Sequence, residues 1–133
     1  YYFRKKAPVA KIESFSECEI KLEASYAENE NFDMIIGIAL SVQTLCPCSK
    51  EISEYGAHNQ RALVSLRVRC KGLVWFEELI DIIEKSASAP LFTLLKREDE
   101  KFVTESSYEN PRFVEDVIRD LAVRLDSNEK IFF

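Results

Sequence analysis

Between Leu45 and Arg61 the sequence reads LCPCSKEISEYGAHNQR, a stretch that holds two of the four cysteines and the one histidine of the chain. A thiolate and an imidazole are good donors for a borderline divalent metal, and a catalytic site of that kind uses about three protein ligands with one position left open for water. Cys46 and His58, twelve residues apart, supply two such donors. The spacing admits two other readings: a buried structural cysteine pair beside a satisfied histidine, and a nucleophilic cysteine activated by His58. A C-P-C pair followed by a lone His is not a zinc-finger spacing, so spacing alone does not choose among the three.

The flanking sequence predicts what must hold this stretch in place. From Glu19 to Ser25 the residues alternate, with Ile20, Leu22 and Ala24 toward a core and Glu19, Lys21, Glu23 and Ser25 away from it, the period of a half-buried strand. Asn29-Glu30-Asn31 reads as a turn, and the apolar, β-branched run from Asp33 to Val42 as a central strand. Leu63 to Cys70 alternates again, with Val64, Leu66, Val68 and Cys70 inward and Ser65, Arg67 and Arg69 outward. The reactive stretch therefore falls on a loop between two strands, a common place for sites. After Gly72 the period becomes helical through Leu73, Phe76, Leu79, Ile80 and Ile83, ending over Ser86 to Pro90. A second helix is expected with Asn110 as N-cap, Pro111 at its first position and a stripe of Val114, Val117, Ile118, Leu121 and Leu125, closed by Asp126-Ser127-Asn128. The result is an α+β class, an antiparallel sheet with two helices packed on one face.

Composition narrows the function classes. The chain has 133 residues, 47% hydrophobic and 31% charged, which suits one globular domain spanning 1–133. A net charge of −5 and a pI near 5.0 argue against a general nucleic-acid binder. The longest apolar run, Met34 to Val42 interrupted by Ser41, is far shorter than the roughly 20 residues of a membrane span. The opening Tyr1 to Lys6 lacks the pattern of a secretory signal. The cysteine spacing is not that of a disulfide framework, so a reducing cytoplasm is expected.

The Leu45–Arg61 string resembles the signature of the type IB GTP cyclohydrolases, and FRKKAPV (Phe3 to Val9) and LLKREDEKFVTESSYENPRFVEDVIRDLA (Leu94 to Ala122) resemble the same family. The likeness runs along nearly the whole chain. It implies that Cys46, His58 and Glu100 of the D-E-K string are metal ligands, for Zn²⁺, Mn²⁺ or Fe²⁺. Cys46 and His58 are thereby the catalytic centre. Without the resemblance Glu100 would read as one more solvated acid in a charge run. The likeness also implies that Glu115 anchors the guanine base, and a carboxylate does present two acceptors to the adjacent N1 and N2 donors of guanine. The substrate's triphosphate needs cations, with Lys50, Arg61 and Arg97 as the chosen candidates and Arg4, Lys5, Lys6 and Lys96 also available. Cys48 reads as a loop-shaping residue.

The activity so implied is hydrolysis of the guanine imidazole ring of GTP at C8 by metal-activated water, releasing formate and giving 7,8-dihydroneopterin triphosphate at the start of tetrahydrofolate and pterin biosynthesis. The implied fold is a tunnelling fold, and the implied assembly a homotetramer with active sites at subunit interfaces. Family members carry two such modules, so the chain is expected to be the second, carboxy-terminal module of a longer protein, without the amino-terminal module and without the E-S-I-H string. Three alternatives stand beside this reading. They are an archaeal-type member that forms a 2′,3′-cyclic phosphate, a non-catalytic domain with a structural metal site, and a tunnelling-fold enzyme using Cys46 or Cys48 as nucleophile.

Overall fold

A computed structural model describes residues 1–26 and 32–132. The expected turn at Asn29-Glu30-Asn31 lies outside the described residues. Strands β1 (Tyr2–Lys6) and β2 (Glu13–Glu17) pair as an antiparallel hairpin, with Tyr2 opposite Glu17 and Lys6 opposite Glu13. The chain then passes through Cys18 into the main sheet, built from β3 (Glu19–Tyr26), β4 (Phe32–Leu45), β5 (Asn59–Cys70) and, near the end of the chain, β7 (Ile131–Phe132). Their order is β3-β4-β5-β7, antiparallel throughout. The short β6 (Ala89–Pro90) pairs with Val42 and Gln43 of β4, past the point where β3 stops at the Glu19–Ala39 pair. Between these strands lie helices α1 (Pro47–Ile52), α2 (Phe76–Ser86), α3 (Arg97–Glu109) and α4 (Val114–Asp126).

One face of the sheet carries the core. Ile36, Ile38, Leu40 and Val42 of β4, with Val68 and Cys70 of β5 and Ile131 of β7, are buried against Leu79, Ile80 and Ile83 of α2 and Val117, Leu121 and Leu125 of α4. Each such side chain contributes roughly 1.5–3 kcal/mol when withdrawn from water. The α+β architecture with two amphipathic helices covering one face is thus the one expected, and the inward set of β5 is as the alternation indicates.

Four expectations are corrected. Leu73 is 64% exposed and lies before α2, which begins at Phe76 because Glu78 reaches back to the Trp75 amide. Asn110 does not cap α4; it is the C-cap of α3, and α4 starts at Val114 with Asp116 holding the Phe113 amide. Val114 and Ile118 are 59% and 61% exposed, because only the Val117–Leu121–Leu125 row faces α2 and the sheet. Leu22 and Ala24 lie on the expected side of β3, since they pair with Ile36 and Met34, yet both are exposed: β3 is an edge strand that the covering helices do not reach. The hairpin, α1 and α3 add to the elements that periodicity indicates.

Candidate active site

The ladder between β4 and β5 ends at the Leu45–Asn59 pair. One rung beyond, the Cys46 amide donates to the His58 carbonyl at 3.2 Å, so the backbones of the two residues are joined where the sheet gives way to α1. Two local features bring them there. Pro47 occupies the first position of α1 and leaves Cys46 as its extended N-cap. Gly56 adopts φ +119°, a conformation L side chains rarely take, and lets the chain turn back toward β5. The Ser49 hydroxyl then bridges the pair, donating to the Cys46 carbonyl at 3.0 Å and accepting from the His58 amide at 3.1 Å. The Ser49 backbone amide, followed by the Ser49 hydroxyl and groups of Cys48, holds the Cys46 thiol below its ordinary value against the opposing effect of desolvation. A thiol held below its ordinary value and an exposed imidazole one rung away are donor types that suit a borderline divalent ion.

Glu100 is exposed on the first turn of α3, and among the described residues no three His, Cys, Asp or Glu side chains gather as a metal-holding group. The fold therefore brings Cys46 and His58 together but does not gather Glu100 with them. Its neighbour Asp99 has no exposed surface: Oδ1 accepts from the Val9 and Ala10 amides at 2.8 and 2.9 Å, and Oδ2 from the Lys96 amide at 3.0 Å. Burial would raise its carboxyl, but the Ala10, Lys96 and Val9 amides and the Lys96 charge outweigh that and hold it below the ordinary carboxylate value. Asp99 was not singled out from sequence; its signal is an acid three residues into a helix.

A hollow of about 350 Å³ borders the loop that carries the pair, lined by Leu45, Tyr55, Gly56, Ala57 and Asn59 on one side and by Glu105 and Tyr108 of α3 on the other but by neither Cys46 nor His58, within the size range of small-molecule sites. A larger cleft of about 610 Å³ lies away from it, among Tyr2, Cys18, Ser41, Arg61 and Phe92. The smaller one is the better candidate because it touches the chemistry-bearing loop. Of the expected phosphate cations, Arg61 lines the larger cleft and Arg97 opens α3 as an exposed residue. Lys50 is engaged, its Nζ donating to the Tyr108 carbonyl and lying 4.2 Å from the centroid of that ring. Lys5 is half-buried and paired with Glu84.

Glu115 is exposed in the first turn of α4. The segment leading into that helix is pinned beside the donor pair, because the Arg112 amide donates to the Leu45 carbonyl at 3.0 Å. On its other side, the Leu45 amide donates to the Ser88 hydroxyl at 3.0 Å. Ser88, Asn110 and Arg112 thus form a brace behind Cys46 that sequence reasoning missed, since its contacts join residues 43 or more positions apart in two of three cases.

The α+β domain thus presents Cys46 and His58 at the end of its sheet, on a loop that borders a hollow of about 350 Å³. Residues 1–132 match the family model described as type I GTP cyclohydrolase folE2. The chain is 58% identical over 131 residues to the GTP cyclohydrolase FolE2 of Thermosipho africanus and 60% identical over 131 residues to that of Thermosipho melanesiensis. It is 56% identical over 133 residues to that of Dictyoglomus thermophilum, and in each case 98% of this chain and 50% of the relative are covered. The chain belongs to the type I GTP cyclohydrolase FolE2 family, and it spans about half the length of the curated relatives it matches.

Proposed function

We propose that the protein is a GTP cyclohydrolase that opens the guanine imidazole ring of GTP at C8, releases formate and yields 7,8-dihydroneopterin triphosphate for tetrahydrofolate and pterin synthesis. The observation that carries this reading is the Cys46–His58 pair, joined rung to rung at the end of the sheet in a chain whose relatives bear that enzyme's name. Cys46 and His58 would hold the divalent metal; Glu100, which the fold leaves apart from them, is the third donor that the family resemblance implies. When bound, the ion supplies Lewis acidity that makes a water nucleophilic near neutral pH. The fold's own part is positional. Ser49 fixes the spacing of the two donors, the Tyr55–Ala57 loop and α3 wall the adjoining hollow, and α4 starts close by with Glu115 as acceptor for the N1 and N2 hydrogens of guanine. Arg61, Arg97 and Lys50 are the cations offered to the triphosphate, Lys50 after release from Tyr108.

The chain is read as the carboxy-terminal tunnelling-fold module of a two-module protein that acts in the cytoplasm as a homotetramer with sites at subunit interfaces. Supporting this are its coverage of half of each relative and its open sheet edge at β3. Among the described residues no helix is long and apolar enough to cross a membrane. The test is to incubate the full-length protein with GTP and Zn²⁺, Mn²⁺ or Fe²⁺ and follow formate and pterin fluorescence, with the product's mass separating linear from cyclic phosphate. Cys46→Ala and His58→Ala are each expected to lose formate release by a factor of roughly 10³ or more. Wild-type turnover in either variant rejects the ligand assignment.

A further inference from the structure

The brace behind Cys46 has one hub. Asn110 ends α3, and its side chain uses both kinds of hydrogen-bonding group: Nδ2 donates to the Ala87 carbonyl at 3.0 Å and to the Ser88 carbonyl at 3.3 Å, while Oδ1 accepts from Arg112 Nε at 2.9 Å. The two residues at the ends of these bonds hold the two backbone polar groups of Leu45. Ser88 Oγ accepts from its amide at 3.0 Å, and the Arg112 amide donates to its carbonyl at 3.0 Å. Leu45 is 2% exposed and directly precedes Cys46. Arg112 also pairs with Asp120 of α4 at 3.3 Å, so the same hub grips the helix that bears Glu115.

We propose that Asn110 is a positioning residue that sets the base-anchoring start of α4 against the Cys46–His58 pair. This rests on the reading of Glu115 as the guanine anchor. Only an amide serves the place: a carboxylate would put oxygen against the Ala87 and Ser88 carbonyls, and an aliphatic side chain would leave both carbonyls and Arg112 Nε without this partner. Either change cuts the direct tie of the Asn110–Arg112 turn to Ala87 and Ser88, leaving only the link through Leu45, while the Cys46–His58 rung and the Ser49 bridge stay intact. The loss is then expressed in recognition of the base and not in metal binding.

The experiment compares GTP with inosine triphosphate, which keeps the N1 hydrogen but lacks the 2-amino group, in the full-length protein carrying Asn110→Asp, with Glu115→Gln run alongside. Asn110→Asp is expected to raise KM for GTP about tenfold. It should pull the GTP-over-inosine preference toward that of Glu115→Gln and leave Zn²⁺ affinity within about twofold of wild type. A purely structural role would lower turnover of both nucleotides by the same factor. An unchanged preference in Asn110→Asp while Glu115→Gln loses it overturns the inference on Asn110. An unchanged preference in Glu115→Gln overturns the guanine-anchor reading and the inference with it. If Asn110→Asp does not fold, Asn110→Ser, which keeps one donor, is judged by the same ratio.

Discussion

Ser49 sets the distance between the two soft donors through their backbones, with one hydroxyl shared by the Cys46 carbonyl and the His58 amide. Removing it keeps both candidate donor residues but loosens their relative placement and takes away one of the groups that lower the Cys46 thiol, and partners of metal ligands are commonly worth 10–100-fold in affinity. Ser49→Ala is therefore expected to weaken Zn²⁺ binding by about tenfold, measured by competition with a chromophoric chelator. Affinity equal to wild type would show that the β4–β5 rung alone fixes the pair. Because the thiolate is the ligand, affinity should also fall as pH is lowered, the fall setting in at a lower pH than for a cysteine with an ordinary thiol. Cys46 and His58 stand out in the sequence because their side-chain types carry chemistry in themselves, and only the family resemblance chooses among the three readings that their spacing admits. Ser49 does not, since its work is done on main-chain groups that no letter reveals, and Lys50 read as a free cation until Tyr108 was seen beneath it.

The helices show why strands and stripes were read more surely than helix starts. Trp75, Lys96 and Phe113 are the N-caps of α2, α3 and α4, and none caps with its own side chain. The third helical residue does the work instead: Glu78, Asp99 and Asp116 accept from those three amides at 3.4, 3.0 and 3.0 Å. Looking for Asn followed by Pro places the start of α4 at Asn110, which in fact closes α3. Helix α3 itself escaped periodicity because its buried residues are Asp99 and Ser107, both polar, so it shows no apolar stripe. Asp99 ties this helix to the Val9–Ala10 turn, and Asp99→Asn is expected to lower Tm by several degrees at neutral pH. The carboxyl is held below its ordinary value, so the stabilisation it gives is fully present above the unfolded pKa of about 4 and is lost as pH falls through the lower folded value. Thermal melts from pH 7 to pH 3 should show the gap between wild type and Asp99→Asn closing at the acid end. A gap of constant size would mean the ionised carboxylate is not what holds the turn.

At the scale of the whole molecule the hairpin of β1 and β2 must be held to the α+β core. Beside the Asp99 bonds to its turn, one tie is Lys5, whose Nζ pairs with Glu84 of α2, donates to the Leu91 carbonyl at 2.7 Å and lies 4.4 Å from the centroid of the Phe92 ring. The two charged side chains keep only 10% and 18% of their exposure. Burial pulls Lys5 down and pushes Glu84 up, and in each the partner's charge only partly restores the ordinary value. A pair in that state is not a net source of stability; what it supplies is one way of docking the hairpin. Sequence could not show this, because Lys5 sits in a basic string that reads as surface and its partner is 79 residues away. The consequence separates pairing from packing. Glu84→Leu alone strands an ammonium in the interior and is expected to lower stability by roughly 3 kcal/mol. Lys5→Met combined with Glu84→Leu removes both charges, keeps much of the volume and should recover most of that loss. Denaturant midpoints measure the stability, and hydrogen exchange at Tyr2–Lys6 and Glu13–Glu17 reports whether the hairpin stays docked. A double variant as unstable as Glu84→Leu would mean that the ion pair itself, and not the apolar contact around it, holds the hairpin to α2.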